Sequence, residues 1–170
     1  LEERARRAQQ IAVTVGELTS DARLGLTLTR LAGEAGLGRP IRHPRVQKSG
    51  LALAGHFYGV VPTRVQVLGE TELSYLETLR EDRRGEACRA FFGLGLSVVV
   101  ITRGVSPDEH LVRAAEASGT ALYVVDAATS RTINALHAVL DEPRELRARV
   151  GLAARLASGE DEGALHRRPA

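Results

Sequence analysis

Among the 23 basic residues of this 170-residue chain only Lys48 is a lysine, so lysine chemistry has a single place to be. Lys48 and Ser49 match the last two letters of the phosphate-binding loop G-x-x-x-x-G-K-[ST], in which glycine amides cradle phosphate and the lysine reaches its terminal oxygens. Arg42 and Gln47 stand where that loop needs its glycines, so the loop is absent. Gly93 and Gly95 precede a strand, whereas a dinucleotide-binding glycine fingerprint must follow one. Gly33, Gly36 and Gly38, with Pro40, read as the punctuation of a long bend.

Metal and nucleophilic chemistry find no better footing. His43, His56, His110, His137 and His166 form no H-x-x-x-H pair, and none lies at ligand spacing from Cys88, so no metal site is expected. His110 and His137 fall on predicted helices as surface or rim residues. A single cysteine excludes an internal disulfide framework and a multi-cysteine zinc site. Cys88 lies in a predicted helix beside Arg89 and reads as a partly buried, inert thiol. Glu70, Glu72, Glu77, Glu81 and Asp82 read as a solvated helix face with no acid–base couple among them. No catalytic residue is expected.

One candidate ligand site remains. In open α/β sheets ligands gather beyond the carboxyl ends of the strands. Thr102-Arg103-Gly104 ends one predicted strand, and Thr129-Ser130-Arg131-Thr132 opens the helix after the next. Free helix amides, hydroxyls and two arginines there suit an anion, with Arg103, Gly104, Thr129, Ser130 and Arg131 as its binding residues. The same residues also suit plain helix capping with the arginines in water, a common arrangement without any ligand.

The elements that position these residues follow from the apolar pattern. Val98–Ile101 is a β-branched run too apolar for a one-sided strand and suits a sheet covered on both faces. Ser106-Pro107-Asp108-Glu109 reads as a helix start, with Ser106 as N-cap and Glu109 closing a capping box. Leu111, Ala114, Ala115 and Ser118 continue one face to Gly119; this small-residue face is also a possible patch for assembly. Leu122–Val125 is the next strand. A helix capped by Thr129 or Asp126 then carries Ile133, Leu136, Val139 and Leu140. Strand–helix–strand–helix with short links predicts parallel pairing. Earlier, Val13 and Val15 mark a short strand, residues 16–24 a helix, Leu26 to Leu31 a strand or turn, and Val65–Leu68 a strand. Thr71 is expected to cap a helix bearing Leu73, Leu76 and Leu79, and a further helix is expected over about 86–92.

The whole is predicted to be one small α/β domain with a mixed, mostly parallel sheet flanked by helices. Residues 1–10 read as a polar N-terminal extension and 11–142 as the domain. Residues 143–170 read as a C-terminal tail or linker, with an amphipathic helix over 144–157 through Leu146, Val150, Ala153 and Leu156. At 44% hydrophobic and 26% charged, the composition is that of a globular protein and excludes wholesale disorder. Aromatics are only 4%, so Leu, Val, Ile and Ala must build the core. The net charge of +2 is spread along the chain, which disfavours nucleic acid as a partner. No stretch is long and apolar enough for a membrane span, and no leader pattern is seen, so a cytoplasmic setting is expected. With no Met anywhere, the chain is expected to be a fragment or to have an unusual start.

Five segments carry a family resemblance: Leu31–Ile41 (LAGEAGLGRPI), Ser49–Phe57 (SGLALAGHF), Arg64–Leu79 (RVQVLGETELSYLETL), Val98–Gly104 (VVVITRG) and Thr129–Leu140 (TSRTINALHAVL). Together they cover about residues 13–142 in order, and they resemble the N-terminal domain of bacterial HPr kinase/phosphorylase. The resemblance implies a fold similar to the first domain of murein-peptide ligases. It implies a parent that phosphorylates a serine of the phosphocarrier HPr with ATP and Mg²⁺, reverses the reaction, and acts as a cytoplasmic homo-oligomer in the control of carbohydrate metabolism. The family's phosphate loop and catalytic acid lie in a second domain, so none of its catalytic residues has a counterpart here. The expectation is therefore a non-catalytic regulatory or assembly domain with no cofactor of its own, partnered by a kinase domain and HPr in the intact protein. The alternative is a stand-alone sensor of a small anion or metabolite at the site near Arg103 and Arg131.

Overall fold

The computed structural model describes residues 2, 3, 6 and 12–159; the expected N-terminal extension is largely, and the tail beyond Gly159 wholly, outside them. In chain order the elements are β1 (Val13–Thr14), α1 (Val15–Thr19), a 3-10 turn (Ala22–Leu24), β2 (Leu28–Ala32), β3 (Pro40–Ile41), β4 (Gln47–Lys48), α2 (Gly50–Leu53) and β5 (Val65–Leu68). They continue as α3 (Glu70–Thr78), α4 (Glu81–Phe92), β6 (Val98–Ile101), α5 (Glu109–Ser118), β7 (Ala121–Val125), α6 (Thr129–Leu140) and α7 (Arg144–Ser158).

Five strands form one sheet in the order β2-β7-β6-β5-β4, while β1 and β3 pair separately. The β4–β5, β5–β6 and β6–β7 pairs are parallel, and β2 runs antiparallel to β7 at the edge. Strand side chains point alternately to the two faces, and both faces are buried. Val98, Val100, Ala121, Tyr123 and Val125 join the core that includes Leu136, Val139 and Leu140 of α6 and Val15 of α1. Val99, Ile101 and Leu122 join the other, which includes Phe91 and Phe92 of α4 and Leu111 and Ala115 of α5. This two-sided burial is why the strands read as continuous apolar runs.

Two glycines of the bend make the sheet edge close. Gly33 has φ +77°, and a Cβ there would lie 1.9 Å from the Thr120 carbonyl oxygen. A Cβ on Gly36 would lie 2.3 Å from the Gly119 carbonyl oxygen. Arg39 fastens the same bend by donating to the carbonyls of Leu96 and Ser118, each at 2.6 Å, and to the Thr120 hydroxyl at 2.9 Å.

Several local expectations are corrected. α5 starts at Glu109 with Asp108, not Ser106, as its N-cap; Asp108 accepts from the His110 amide at 2.8 Å. Asp108 prevails because Arg84 Nη1 reaches it at 2.7 Å and fixes where the loop turns into the helix. α3 is capped at Gly69 rather than by Thr71, and α4 begins at Glu81, earlier than 86. The predicted helix over 16–24 is broken by Ser20 and Asp21 into α1 and the 3-10 turn. Ala114 and Ala115 are buried in the core and form no exposed patch.

α7 forms where an amphipathic helix was expected, but its apolar residues look outward. Leu146, Leu152 and Leu156 are exposed, while Arg147 is buried and its Nη1 lies 3.4 Å from the Leu140 carbonyl oxygen.

Candidate functional site

The carboxyl ends of β5, β6 and β7 bring Gly69, Thr102 and Thr129 together. Thr102 ends β6 and is fully buried. Thr129 is the first residue of α6, not its cap; the cap position is Ala128, which offers no side chain to the helix amides. The freed Thr129 hydroxyl instead meets the Thr102 hydroxyl at 2.7 Å. Gly69 fits against both: a Cβ there would lie 3.4 Å from Thr129 Oγ1 and 3.7 Å from Thr102 Oγ1.

The amide at the start of α3 is already occupied. Glu72 Oε2 accepts from the Gly69 N–H at 2.7 Å, so the N-cap amide of the helix that follows β5 is held by the protein's own carboxylate. Glu72 was expected on a solvated face; the signal that could have placed it is the spacing Gly69-Glu70-Thr71-Glu72, an acidic residue three after a cap-compatible glycine.

Arg103 and Gly104 form the turn after Thr102. Arg103 has φ 62° and is the sole described non-glycine residue with positive φ. Its amide donates to the Ala127 carbonyl at 3.0 Å, and the Gly104 amide donates to the Val125 carbonyl at 2.8 Å. A Cβ on Gly104 would lie 2.7 Å from Asp126 Oδ1, so the Asp126 carboxylate closes over this turn. The Arg103 side chain reaches Glu70 at 3.8 Å while half in water. Ser130 and Arg131 follow in the exposed first turn of α6. The structure thus gathers Arg103, Gly104 and Thr129 at one end of the sheet with Ser130 and Arg131 at its rim, and adds Glu70, Glu72 and Asp126, which the sequence reading left out. Three carboxylates against two guanidiniums make this a poor cradle for a polyanion such as a triphosphate, because like charges at close range raise the free energy of binding.

The remaining reactive groups serve structure. Cys88 is buried in α4, and its burial, reinforced by Asp108 against the opposing pull of Arg84 and Arg89, pushes the thiol up to about 11. Such a thiol carries almost no thiolate near neutrality. A shallow depression of about 500 Å³ lined by Glu81, Asp82, Gly85, Glu86, Arg89 and His110 holds a 3.6 Å contact between His110 and the exposed Glu81. Among the described residues no group of His, Cys, Asp and Glu is placed to hold a metal, and no helix is long and apolar enough to cross a membrane.

A mostly parallel sheet covered on both faces, with Glu72 and the Thr102–Thr129 pair at its carboxyl end, defines a small α/β domain. Residues 13–140 match the family described as HPr Serine kinase N terminus, and the chain belongs to that family. It is 36% identical over 132 residues to an HPr kinase/phosphorylase of Geobacter sulfurreducens, covering 78% of this chain and 41% of that protein. The chain therefore spans less than half the length of this relative. In fold it is similar to a crystal structure of the CBS and DRTGG domains of the regulatory region of Clostridium perfringens pyrophosphatase, complexed with the activator diadenosine tetraphosphate. That likeness has a TM-score of 0.51 at 12% identity, over 78% of this chain and 51% of that one.

Proposed function

We propose that the chain is the non-catalytic regulatory domain of an HPr kinase/phosphorylase-type protein, which phosphorylates and dephosphorylates HPr in the control of carbohydrate metabolism. In this reading it works in the cytoplasm, within a homo-oligomer, beside a kinase domain that brings ATP and Mg²⁺ to HPr. The observation that carries it is the occupied amide at Gly69. Where an open α/β sheet offers a helix start to a phosphate, this chain has placed Glu72, with Glu70 beside it. Phosphoryl transfer depends on positioning and on neutralising charge, and a carboxylate in that place opposes both. Calorimetric titration of the purified chain with Mg-ATP, and an assay with HPr and ATP, test the reading. Neither uptake of nucleotide nor phosphorylated HPr is expected; robust ATP-dependent phosphorylation by the pure chain overturns it.

A second reading, a sensor of a small anion or metabolite at Arg103, Gly104, Thr129, Ser130 and Arg131, is favoured by the left-handed Arg103 beside the uncapped start of α6. It is supported by the similar fold in a regulatory region that was crystallised with an activator. The likeness supports sensing and not diadenosine tetraphosphate as the ligand here, because the local charge balance favours a singly charged or small ligand over a polyphosphate. Amide NMR during titration with inorganic phosphate and small phosphorylated metabolites tests it. Shifts at residues 102–104 and 129–132 are expected; unmoved resonances there end this reading and leave the first intact.

A further inference from the structure

We propose that His137 is a pH-sensitive latch that holds the chain leading into β4 against α6 and lets it go on acidification. Val46, the residue before β4, donates its amide hydrogen to His137 Nε2 at 3.1 Å. A ring nitrogen accepts a hydrogen bond only when it carries no proton, so this contact exists only with neutral imidazole bearing its hydrogen on Nδ1. Protonation puts a second N–H against the Val46 N–H, and the bond becomes a repulsive contact.

The groups around His137 fix the direction of the response. Arg45, from the same incoming segment, faces it and opposes a positive ring, while Asp141, one turn on at the C-cap of α6, favours it. Those two are joined to each other: Arg45 Nη1 donates to both Asp141 oxygens at 2.8 Å, so each partly screens the other's effect on the ring. The 3-10 turn that packs on α6 has its charges engaged elsewhere, Arg23 with Asp21 and Glu142. The strand residues beneath α6 are valines and Tyr123. Burial comes first among the influences and holds His137 below the ordinary imidazole range. His43, the other titrating group of the segment, is likewise held down by burial and by Arg64.

β4 is the element that feels the change. It pairs with β5 through Gln47 and Lys48 alone, and it has no strand on its other side. Its remaining ties are the Ser49 amide to the Val67 carbonyl at 3.4 Å, Gln47 Nε2 to the Gly59 carbonyl at 2.8 Å, the Val61 amide and Gln66 Nε2 to Gln47 Oε1 at 2.9 and 3.4 Å, and Ser49 to Gln66. A strand this short, held on one edge, lies at the low end of local opening free energies. Losing the anchor immediately before it leaves the Arg45–Asp141 pair and the half-buried Val46 side chain as the ties to the α6 side and loosens the Val46 amide and β4 behind it.

Amide hydrogen exchange followed by NMR between pH 8 and pH 5 tests this, with rates corrected for the intrinsic pH dependence. Protection at Val46, Gln47 and Lys48 is expected to fall as pH drops below about 6.5, by up to tenfold for each pH unit until the folded pKa is reached. Val99, fully buried in the middle strand β6, is followed alongside as the reporter of global stability. Nitrogen chemical shifts of the ring are expected to show the Nδ1–H tautomer at pH 8. His137→Gln, which retains an acceptor that does not titrate, is expected to abolish the step, and His43→Gln to leave it in place. An Nε2–H tautomer at pH 8, Val46 protection equal to that of Val99 at every pH, or a step that survives His137→Gln overturns the proposal. The tautomer reading needs no variant, so it decides the matter even if a substitution unfolds the domain.

Discussion

The hydroxyls of Thr102 and Thr129 lie 2.7 Å apart, joining the end of β6 to the first residue of α6 across the carboxyl end of the sheet. Thr102 is fully buried, and its other contact, to the Leu68 carbonyl, is long at 3.4 Å. Thr129→Val keeps the branched shape and removes the partner. It is expected to cost about 1 kcal/mol, the usual value for leaving a buried hydroxyl poorly satisfied. A urea midpoint unchanged from the parent would show that the pair is not a structural tie.

Gly33→Ala is expected to be far more damaging. The added carbon would sit 1.9 Å from a backbone oxygen, and φ +77° is already unfavourable for any L side chain. Backbone must move at the junction of the bend and β7. Overpacking of about 1–3 kcal/mol adds to backbone strain of similar size, giving a loss of roughly 3 kcal/mol or more. Thermal melting of the variant against Gly38→Ala, where a Cβ meets nothing within 4 Å, separates this clash from a general effect of replacing glycine.

Arg84 joins three elements. Its Nε donates to the Leu76 carbonyl at 2.9 Å, Nη2 to the Leu79 carbonyl at 3.0 Å, and Nη1 to Asp108 at 2.7 Å. It therefore closes the end of α3 and sets the start of α5 together. Arg84→Ala is expected to cost about 2–3 kcal/mol, as for a partly buried charged donor whose partners are left behind. Arg84→Lys should recover less than half of that, because one ammonium cannot present the planar fork to four acceptors, the Glu77 carbonyl at 3.3 Å among them. Full recovery by lysine in a denaturant titration would contradict this account.

Stability should fall in two stages on acidification. His43 and His137 are held below the ordinary imidazole value, so the unfolded chain binds more protons than the folded one as pH drops below about 6.5. Their contribution is complete above that pH and is lost as pH falls through the folded values. Asp21 is held low chiefly by its bond to Arg23. Asp108, although burial raises it, is held low overall by the His110 amide and Arg84. These two contribute fully above about pH 3.9 and lose their effect below it. Urea midpoints at pH 7.5, 5.5 and 3 should descend in that order, and a midpoint that rises between 7.5 and 5.5 would contradict the histidine assignment.

Cys88 should resist modification. With the side chain buried and the thiol pushed up to about 11, an alkylating reagent at pH 8 finds neither access nor thiolate. Labelling is expected to be slow in buffer and rapid in denaturing urea. Fast labelling of the native protein would place Cys88 at a site that opens readily.

The centre of the fold was legible because its strands are unmixed. Val98–Ile101 and Leu122–Val125 are apolar on both faces, and the spacing of Leu136, Val139 and Leu140 matches one side of a helix; no competing reading fits them. Helix starts were harder, since Ser106-Pro107-Asp108-Glu109 contains two nested caps, and only the reach of Arg84 from another helix decides for Asp108. The early part of α4 hides behind Glu81, Asp82, Arg83 and Arg84, although Gly85, Cys88 and Phe91 bury one face at helical spacing. At the candidate site, the turn at Arg103 and Gly104 was readable, whereas the Thr129 hydroxyl, expected to cap its helix or hold an anion, bonds Thr102 instead. Glu72 was marked only by its spacing from Gly69, and Asp126 by nothing, because a charged residue next to a helix start looks the same in a sequence whether it closes over a neighbouring turn or points at water.

The last helix turns its arginine inward and its leucines outward. Apart from the buried Arg147 and the half-buried Val150, the described side chains of this helix are exposed, so it adds little apolar surface to the layers before it. Trypsin cutting after Arg149 is expected to trim most of this exposed helix while changing the melting temperature of the remaining body only slightly.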